Sequence, residues 1–333
     1  MNSADKLPAL DGLRAISILL VLATHMLPVG PKVLRLNETT GAMGMSLFFA
    51  LSGFLITSTL LRNADVTEFM IRRLARIIPL AYAYILFGIA VMGFGLTEGL
   101  WTATFLVNYL HQYLPHFSHF WSLCVELQFY IAIAFAVLIA GQRALWVVWP
   151  ACLAVTLMRV NAGAYINIET HLRVDEILAG ACVATLYSAS WKDRLPTSSI
   201  LLAAILWFVS SSPYSGGLQY LRPYATAVLL ATVLCQRKTL VTELLASRPM
   251  RYVAATSYAL YVIHPITVHG WWNQGSIIDR YLFKRPVSFL MTFLAAHLST
   301  FYWERAWQRA ARSWIERRRN RQARVAAVQA AGR

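Results

Sequence analysis

The chain has 333 residues, of which 58% are hydrophobic and only 14% carry a formal charge. A soluble globular domain carries charge on about 25% of its residues, so this composition excludes that class. The net charge of +15 would suggest nucleic-acid binding in a soluble protein, but basic residues also concentrate in the cytoplasmic loops of membrane proteins. Apolar stretches of spanning length recur along the chain. We therefore predict an all-α fold, a polytopic membrane helical bundle with no nucleic-acid partner.

The predicted bundle has about ten transmembrane helices, which follow one another with short connections. They cover residues 13–29, 42–61, 77–96, 121–140, 144–160, 172–190, 198–212, 221–236, 252–271 and 286–303. Residues 97–120 are aromatic and interrupted by Pro115, and we interpret them as interfacial or re-entrant. The first residues are too polar for a signal peptide, so we expect the first span to remain in the mature chain. We divide the chain into a transmembrane domain, 1–304, and a basic cytoplasmic tail, 305–333, whose arginines face anionic lipid headgroups.

The distribution of basic residues predicts the orientation of the bundle. With ten spans and the N-terminus inside, 22 of the 30 Lys and Arg residues lie on the cytoplasmic side and 8 lie outside. The inside set includes Lys6, Lys192, Arg194, Arg237, Lys238 and the nine arginines after Trp303. Basic residues favour the cytoplasmic face, so we predict an N-in and C-in topology. If residues 97–120 crossed the membrane, the arginine-rich tail would lie outside, against this rule.

The first predicted span carries two ionisable residues, Arg14 and His25, at membrane depth. In a helix, their separation of 11 residues corresponds to ~16 Å, about half the thickness of the hydrocarbon core. Such residues usually serve a function, so we expect Arg14 to face one half of the membrane and His25 the other. Glu126, near the outer end of the fourth span, is predicted to lie at the depth of His25, as a carboxylate that orients a general base. An interfacial histidine and a structural carboxylate are the alternative interpretation.

A second candidate site lies on the cytoplasmic side, where Arg72, Arg73 and Arg76 precede the third span. Asp11 and Arg14 are expected close by, at the start of the first span. If this stretch is helical, Arg73 and Arg76 share a face at i, i+3. Two guanidiniums on one face can hold phosphate oxygens in paired contacts. Basic residues here also satisfy the positive-inside rule without any ligand, and the spacing does not decide between the two.

Other polar residues within the spans are interpreted as support. We expect Arg173 and Asp175, at the start of the sixth span, to pair with each other. His264 precedes a proline in the ninth span and is expected to lie deep in a bent helix. The Ser52-Gly53 pair is expected to permit close helix packing. The four cysteines show no metal-binding spacing, and we expect no metal.

Six stretches of the chain carry recognisable motifs. They are LDGLRAISILLVLATH at 10–25, GMSLFFALSGFLIT at 44–57, FMIRRLARIIPL at 69–80, HFWSLCVELQFY at 119–130, HLRVDEILAGA at 171–181 and SYALYVIHPI at 257–266. Together they resemble the membrane-bound acyltransferase family 3, the integral-membrane O-acyltransferases that modify bacterial glycans. The resemblance implies a ten-span fold in a bacterial cytoplasmic (inner) membrane, with acyl-CoA as the donor. It also implies an acceptor hydroxyl on an extracytoplasmic glycan, lipid-linked sugar or glycolipid. Some members carry a further esterase-like domain, whereas this chain is expected to be of the membrane-domain-only type.

The resemblance also implies roles for the candidate residues. We expect an O-acetyltransferase that uses acetyl-CoA, with the CoA phosphates on Arg72, Arg73 and Arg76 and the pantetheine arm passing Arg14. His25 is expected to remove the acceptor proton, and Glu126 to orient it. The supporting residues, for substrate or structure, are Asp11, Ser122, Arg173, Asp175 and His264. The alternatives are a transporter or flippase of acylated sugars or small acids, in which Arg14 and His25 line a path, and a scaffold for glycan assembly.

Overall fold

The structure is a computed structural model that describes residues 8–187, 196, 198–236, 239–271 and 274–331. Within these ranges the chain forms thirteen α-helices joined by short 3₁₀- and π-helical segments, with no β-strand, which confirms the all-helical prediction. The helices are α1 (Pro8–Met26), α2 (Leu36–Arg62), α3 (Val66–Ala90), α4 (Leu96–Ala103), α5 (Phe120–Ala140), α6 (Val148–Asn161), α7 (Asp175–Leu186), α8 (Ser198–Ser211), α9 (Arg222–Cys235), α10 (Leu240–Leu245), α11 (Arg248–Val268), α12 (Arg285–Leu298) and α13 (Arg305–Ala331).

Five helical stretches of the described chain are long and apolar enough to cross a membrane. They are Pro8–Met26, Leu36–Arg62, Val66–Ala90, Phe120–Asn161 and Pro213–Cys235. Other predicted spans contain shorter helices, since α7 has 12 residues and α8 has 14. Helices of this length extend only ~18–21 Å, compared with ~30 Å for the hydrocarbon core. The structure therefore supports several spans, but fewer than the predicted ten meet this criterion.

Some of the residues used to predict the orientation lie outside the described ranges. They are Lys6, Lys192, Arg194, Arg237, Lys238 and Arg333. The predicted end of the sixth span, 188–190, lies outside them as well. The N-in and C-in topology therefore stays a prediction.

Helix α1 extends from Pro8, the first described residue, which lies five residues before the predicted span. Proline suits the first turn of a helix, because the first amide groups have no partner within the helix. Asp11 lies in that first turn, where a carboxylate is favoured by the helix dipole. Asp11 and Arg14 are therefore both part of the helix, and they share a face at i, i+3.

Helix α3 also begins earlier than predicted, at Val66, so only residues 63–65 of the basic stretch 62–76 lie outside a helix. Asp65 is the N-cap residue, and its side chain accepts a hydrogen bond of 2.9 Å from the backbone N–H of Glu68. This is the usual signal for a helix start. Arg72, Arg73 and Arg76 consequently lie inside α3, which confirms the conditional prediction that this stretch is helical.

The connection between α3 and α5 contains no long helix within the described residues. Helix α4 has eight residues and is followed by short 3₁₀ turns up to Phe117. A helix of this length extends only ~12 Å, which is too short to cross a hydrocarbon core. The structure thus agrees with the interpretation of 97–120 as interfacial or re-entrant.

Helices α2 and α7 pack closely, with their backbones in contact. A Cβ atom built on Gly53 would lie 1.8 Å from the carbonyl oxygen of Ile177, and one built on Gly180 would lie 1.9 Å from that of Ala50. Only glycine permits this approach at either position. The prediction that Gly53 serves close helix packing is therefore confirmed. The contact fixes Ser52, the preceding residue of α2, next to α5.

The basic C-terminal segment is a helix that returns to the bundle. Helix α12 continues through a π-helical segment, Ser299–Glu304, into α13, which packs against α3. Arg318 forms an ion pair of 2.7 Å with Asp65, and Arg319 forms one of 2.5 Å with Glu68. Ile315 is only 1% exposed beneath them. One face of the predicted tail therefore contacts α3 rather than lipid.

Candidate active site

The side chain of Arg14 lies at a small inner cavity of about 30 Å³ between α1, α2, α3, α5 and α11. The polar residues that line it are Arg14, Ser52, Arg73, Arg76, Glu126, Tyr130, Ser257 and Tyr258. Three arginines and one carboxylate thus surround a space that could hold about one water molecule. The predicted proximity of Arg14 to the arginines of α3 is confirmed.

Glu126 is held in this cavity by two hydroxyl groups. The hydroxyl of Ser52 donates to its Oε1 atom at 2.6 Å, and the hydroxyl of Tyr130 donates to the same oxygen. An ionised carboxylate only accepts hydrogen bonds, so both hydroxyl hydrogens point at Glu126. The residue is only 5% exposed.

The predicted pairing of Glu126 with His25 is wrong, because Glu126 accepts its hydrogen bonds from Ser52 and Tyr130. His119, one residue before α5, contacts the ring of His264, as does His25. Glu126 follows His119 by seven residues, which places it about two turns, or ~10 Å, further along α5. The carboxylate therefore lies at the level of Arg14, at the other end of α1 from His25.

A larger cleft of about 290 Å³ opens beside the inner cavity, between α3 and α13. Its lining residues are Thr59, Phe69, Arg72, Arg73, Ala75, Arg76, Gln308, Ala311 and Arg312. We call this space the arginine cleft. Arg73 and Arg76 line both the arginine cleft and the inner cavity, so the two spaces share a wall.

The arginines of α3 differ in their contacts. The Arg72 guanidinium forms an ion pair of 2.8 Å with Glu68, one turn earlier on the same helix. The Arg73 guanidinium lies 5.7 Å from the ring centre of Phe69 and 5.6 Å from that of Tyr130, within range of cation–π attraction. Arg73 is therefore positioned by aromatic rings, which leaves its N–H groups available to an anion.

The opposite end of α1 carries a group of three histidines. The ring of His25 lies 5.2 Å from that of His264, and the ring of His264 lies 6.0 Å from that of His119. His25 is exposed, whereas His264 and His119 are buried. The Nδ1 atom of His264 lies 2.8 Å from the carbonyl oxygen of Tyr261 and 3.2 Å from that of Leu260. Carbonyl oxygens only accept, so Nδ1 carries the proton and Nε2 of the neutral ring is free to accept.

His119 was not singled out by the sequence analysis beyond its place in the aromatic stretch. It is 7% exposed, and neither ring nitrogen has a hydrogen-bond partner among the described residues. Its ring meets Tyr84 edge to face at 4.9 Å. The signal in the sequence that could have identified His119 as a site residue is its position directly before the apolar helix α5, at the depth of the other outer residues.

Ser122 is linked to the backbone of His119 through the Tyr261 hydroxyl. The Tyr261 hydroxyl donates to the backbone carbonyl of His119 at 2.6 Å, and its oxygen lies 2.6 Å from the Ser122 hydroxyl. Since the tyrosine hydrogen is engaged, Ser122 is the donor of the second bond. This chain of hydrogen bonds connects α5 to α11 and fixes the backbone at His119, in agreement with a structural role for Ser122.

The predicted pairing of Arg173 with Asp175 is wrong, because each has another partner. Asp175 forms an ion pair of 2.5 Å with Arg159, and Arg173 lies 3.2 Å from Glu176. Asp175 and Glu176 are adjacent on α7 and point to different neighbours. Glu176 also forms an ion pair of 2.7 Å with Arg222, at the start of α9. These five side chains are almost fully buried and connect α6, α7 and α9.

Within the described part of the chain, no group of three His, Cys, Asp or Glu residues is placed to hold a metal ion.

The fold and these contacts define a multi-pass, all-helical membrane protein whose site has an arginine-lined end and a histidine-lined end. The chain belongs to the acyltransferase 3 family, because the model of that family, described as an acyltransferase domain, matches residues 7–303. The resemblance of the motifs is thereby confirmed. Helix α13 lies beyond the matched residues.

Two similar curated proteins are named as O-acetyltransferases. The protein named "Putative peptidoglycan O-acetyltransferase YrhL" from Bacillus subtilis is 27% identical over 79% of this chain and 49% of its own length. The O-acetyltransferase OatA from Staphylococcus aureus is 26% identical over 90% of this chain and 57% of its own length. The chain thus spans about half the length of these relatives. No solved structure matches the chain.

Proposed function

We propose that the protein is a membrane O-acetyltransferase that moves an acetyl group from acetyl-CoA to a hydroxyl of a glycan. The observation that carries this proposal is the shared wall of the arginine cleft and the inner cavity, formed by Arg73 and Arg76. A ligand with phosphates in the cleft can extend past these two residues toward Arg14. Helix α1 continues from Arg14 to His25, ~16 Å further on. The names of the relatives support the acetyl group, and the name of the Bacillus subtilis relative supports a peptidoglycan-like acceptor.

The donor end is proposed to bind CoA through its phosphates. Arg73 and Arg76 are the main contacts, because guanidinium groups bind phosphate oxygens in a bidentate manner. Arg72 takes a smaller part, since Glu68 already holds its guanidinium. The pantetheine arm passes the inner cavity, where Glu126 balances part of the positive charge of Arg14, Arg73 and Arg76.

The acceptor end is proposed to centre on His25. This residue is exposed at the end of α1 and lies beside His264. His25 removes the proton of the acceptor hydroxyl while the oxygen attacks the thioester carbonyl. The carbon–sulfur bond then breaks, and the CoA thiolate takes the proton from His25. His264, whose own proton is held by backbone carbonyls, supports the ring of His25 in its position.

This function places the arginine cleft on the cytoplasmic side and His25 toward the outside. It requires the ten-span arrangement with both termini inside, in a bacterial cytoplasmic membrane. The basic residues of α3 and α13 agree with a cytoplasmic location. The alternative, a transporter or flippase of acylated sugars, has no support from the comparisons.

The test measures release of the free CoA thiol from acetyl-CoA by the full chain in lipid nanodiscs, with peptidoglycan fragments as acceptor. His25→Ala should lower turnover about 10²–10⁴-fold, the usual contribution of a positioned base, and leave CoA affinity unchanged. The double variant R73A/R76A should weaken CoA binding. His111→Ala, an exposed histidine of the 97–120 stretch, is the matched control and should behave as wild type. Near-normal turnover of His25→Ala would refute the mechanism. A wild-type protein that neither binds nor turns over acetyl-CoA would refute the function and favour a transporter.

A further inference from the structure

The second wall of the arginine cleft comes from α13, which lies beyond the residues matched by the family model. The family motifs therefore account for only one side of the cleft, Arg72, Arg73 and Arg76 on α3. Gln308, Ala311 and Arg312 form the other side.

The face that α13 turns to the cleft is a regular stripe along the helix. Gln308, Ala311, Arg312 and Ile315 occupy positions i, i+3, i+4 and i+7, which fall on one side of an α-helix. Ile315, at the end of this stripe, is 1% exposed and is the only buried residue of α13 within its described length. The stripe continues into Arg318 and Arg319, one turn later. The contact with α3 is therefore built into the helical period of α13.

Two ion pairs fix the register of α13 along α3. Arg319 pairs with Glu68 at the start of α3, next to the pair formed by Arg318 and Asp65. From Glu68, a rise of eight residues along α3 leads ~12 Å to Arg76. From Arg319, seven residues back along α13 lead ~10 Å to Arg312. The helices run antiparallel, so the ion pairs bring Arg312 to the level of Arg76.

The charges in the cleft favour a polyanion. Four arginines line it, and no acidic side chain does so among the described residues. Arg72 has an ion-pair partner in Glu68, whereas the Arg312 guanidinium donates a long intrahelical hydrogen bond of 3.3 Å to the carbonyl oxygen of Gln308. Like charges that line one cleft repel one another, and an anion bound between them offsets this repulsion. A ligand with several phosphates satisfies all of these groups at once.

We propose that Arg312 binds phosphate oxygens of the donor, so that α13 forms half of the site for the phosphorylated nucleotide part of CoA. This inference rests on the proposed function and extends it to a residue outside the family domain. The two ion pairs at the start of α3 fix the position of α13 along α3 and thereby hold Arg312 at the cleft. Among these three arginines of α13, only Arg312 contacts the ligand, whereas Arg318 and Arg319 position the helix through their ion pairs.

The experiment measures binding of CoA, dephospho-CoA and pantetheine to the full chain in lipid nanodiscs by calorimetry. Arg312→Ala should weaken CoA binding about tenfold, as expected for the loss of a charge-assisted hydrogen bond, and should leave pantetheine binding unchanged. A smaller effect with dephospho-CoA than with CoA would assign Arg312 to the 3′-phosphate, and an equal effect would assign it to the pyrophosphate. Arg312→Lys should recover part of the affinity, since the charge remains but the bidentate contact is lost.

The matched control is Arg321→Ala, which removes the same charge from the same helix. Residue 321 lies nine positions after 312, which at 100° per residue places it on the opposite face of α13, exposed. This variant should bind CoA as wild type does. Equal losses in both variants, or no loss in Arg312→Ala while R73A/R76A loses binding, would overturn the inference and leave the function standing. Absence of CoA binding in the wild type would instead refute the function itself.

Discussion

The close contact between α2 and α7 predicts that Gly53→Ala destabilises the protein. The added Cβ atom would lie 1.8 Å from the carbonyl oxygen of Ile177 and 2.9 Å from the backbone nitrogen of Ala181. An ordinary contact of 3.4 Å requires the two helices to separate by about 1.6 Å at this point. The atoms in the way belong to the backbone, so no side-chain rotation relieves the clash. Overpacking of this kind costs about 1–3 kcal/mol, and we expect the upper end of that range here.

The same displacement should reach the inner cavity. Ser52 directly precedes Gly53, and its hydroxyl donates to Glu126 at 2.6 Å. A shift of α2 comparable to the required separation would take this distance beyond hydrogen-bond range. We therefore expect Gly53→Ala to lower both the midpoint of thermal unfolding, by about 5 °C, and the turnover of acetyl-CoA. The measurements are thermal unfolding in detergent micelles and thiol release in nanodiscs.

Gly217→Ala is the control for this prediction. A Cβ atom built on Gly217 meets no heavy atom within 4 Å. The two variants make the same chemical change, and only the surroundings differ. If Gly53→Ala unfolds within about 1 °C of Gly217→Ala and retains full turnover, the close approach of α2 and α7 does not hold the site together, and the reasoning is refuted.

Three further predictions concern single carboxylates. Glu126→Gln should lower kcat about 10- to 100-fold in the thiol-release assay, because the charge among the arginines is lost; a kcat within twofold of wild type would contradict this role. Asp175→Asn should destabilise the protein by about 3–5 kcal/mol, measured by unfolding in micelles, since it breaks the fully buried pair with Arg159. Partial burial would raise the pKa of Asp65, but the backbone N–H at the start of α3 and the Arg318 guanidinium lower it. Because folding lowers this pKa, the ionised Asp65 stabilises the fold above the unfolded-state pKa of about 3.9, and this stabilisation is lost as the pH falls through the folded-state pKa. The difference in thermal midpoint between wild type and Asp65→Asn should therefore be full at pH 7 and shrink below about pH 4.

The sequence was sufficient where a helix is apolar along its whole length. The predicted span 121–140 corresponds to α5, Phe120–Ala140, and the predicted span 198–212 corresponds to α8, Ser198–Ser211. In such segments the start and end of the apolar run coincide with the ends of the helix. At the start of α3, the apolar run and the helix do not begin at the same residue. Arg72, Arg73 and Arg76 lie within the helix and face a cleft, and they do not form a solvent-exposed loop. A hydropathy pattern assigns any cluster of charges to a segment outside the membrane. The start of α3 is marked instead by its N-cap residue, Asp65.

The partners of the charged residues could not be read from depth alone. Glu126 and His25 were both expected near the outer side, yet Glu126 contacts Ser52 and Tyr130. Sequence position gives the depth of a residue along its own helix, but it does not show which residues of the neighbouring helices it faces. The choice among Arg159, Arg173 and Arg222 for the acids of α7 was open for the same reason: it depends on how neighbouring helices rotate about their axes.

The site is built so that each of four helices contributes to both of its ends. Helix α1 carries Arg14 and His25, and α5 runs in the opposite direction from His119 to Glu126. Helix α3 leads from the arginines of the inner cavity to Tyr84, which contacts His119, and α11 leads from Tyr258, at the inner cavity, to His264. These pairs are separated by 6 to 11 residues, or ~9–16 Å along the axes.

Because the same helices hold both ends, the distance between the arginine-lined end and the histidine-lined end is set by helical rise and not by the movement of domains. A shift of any one helix should therefore disturb both ends together. A change that shortens a side chain at one end, without moving a helix, should affect only the substrate that binds there. This is why Arg312→Ala and His25→Ala are expected to separate CoA affinity from turnover, whereas Gly53→Ala is expected to disturb the bundle as a whole.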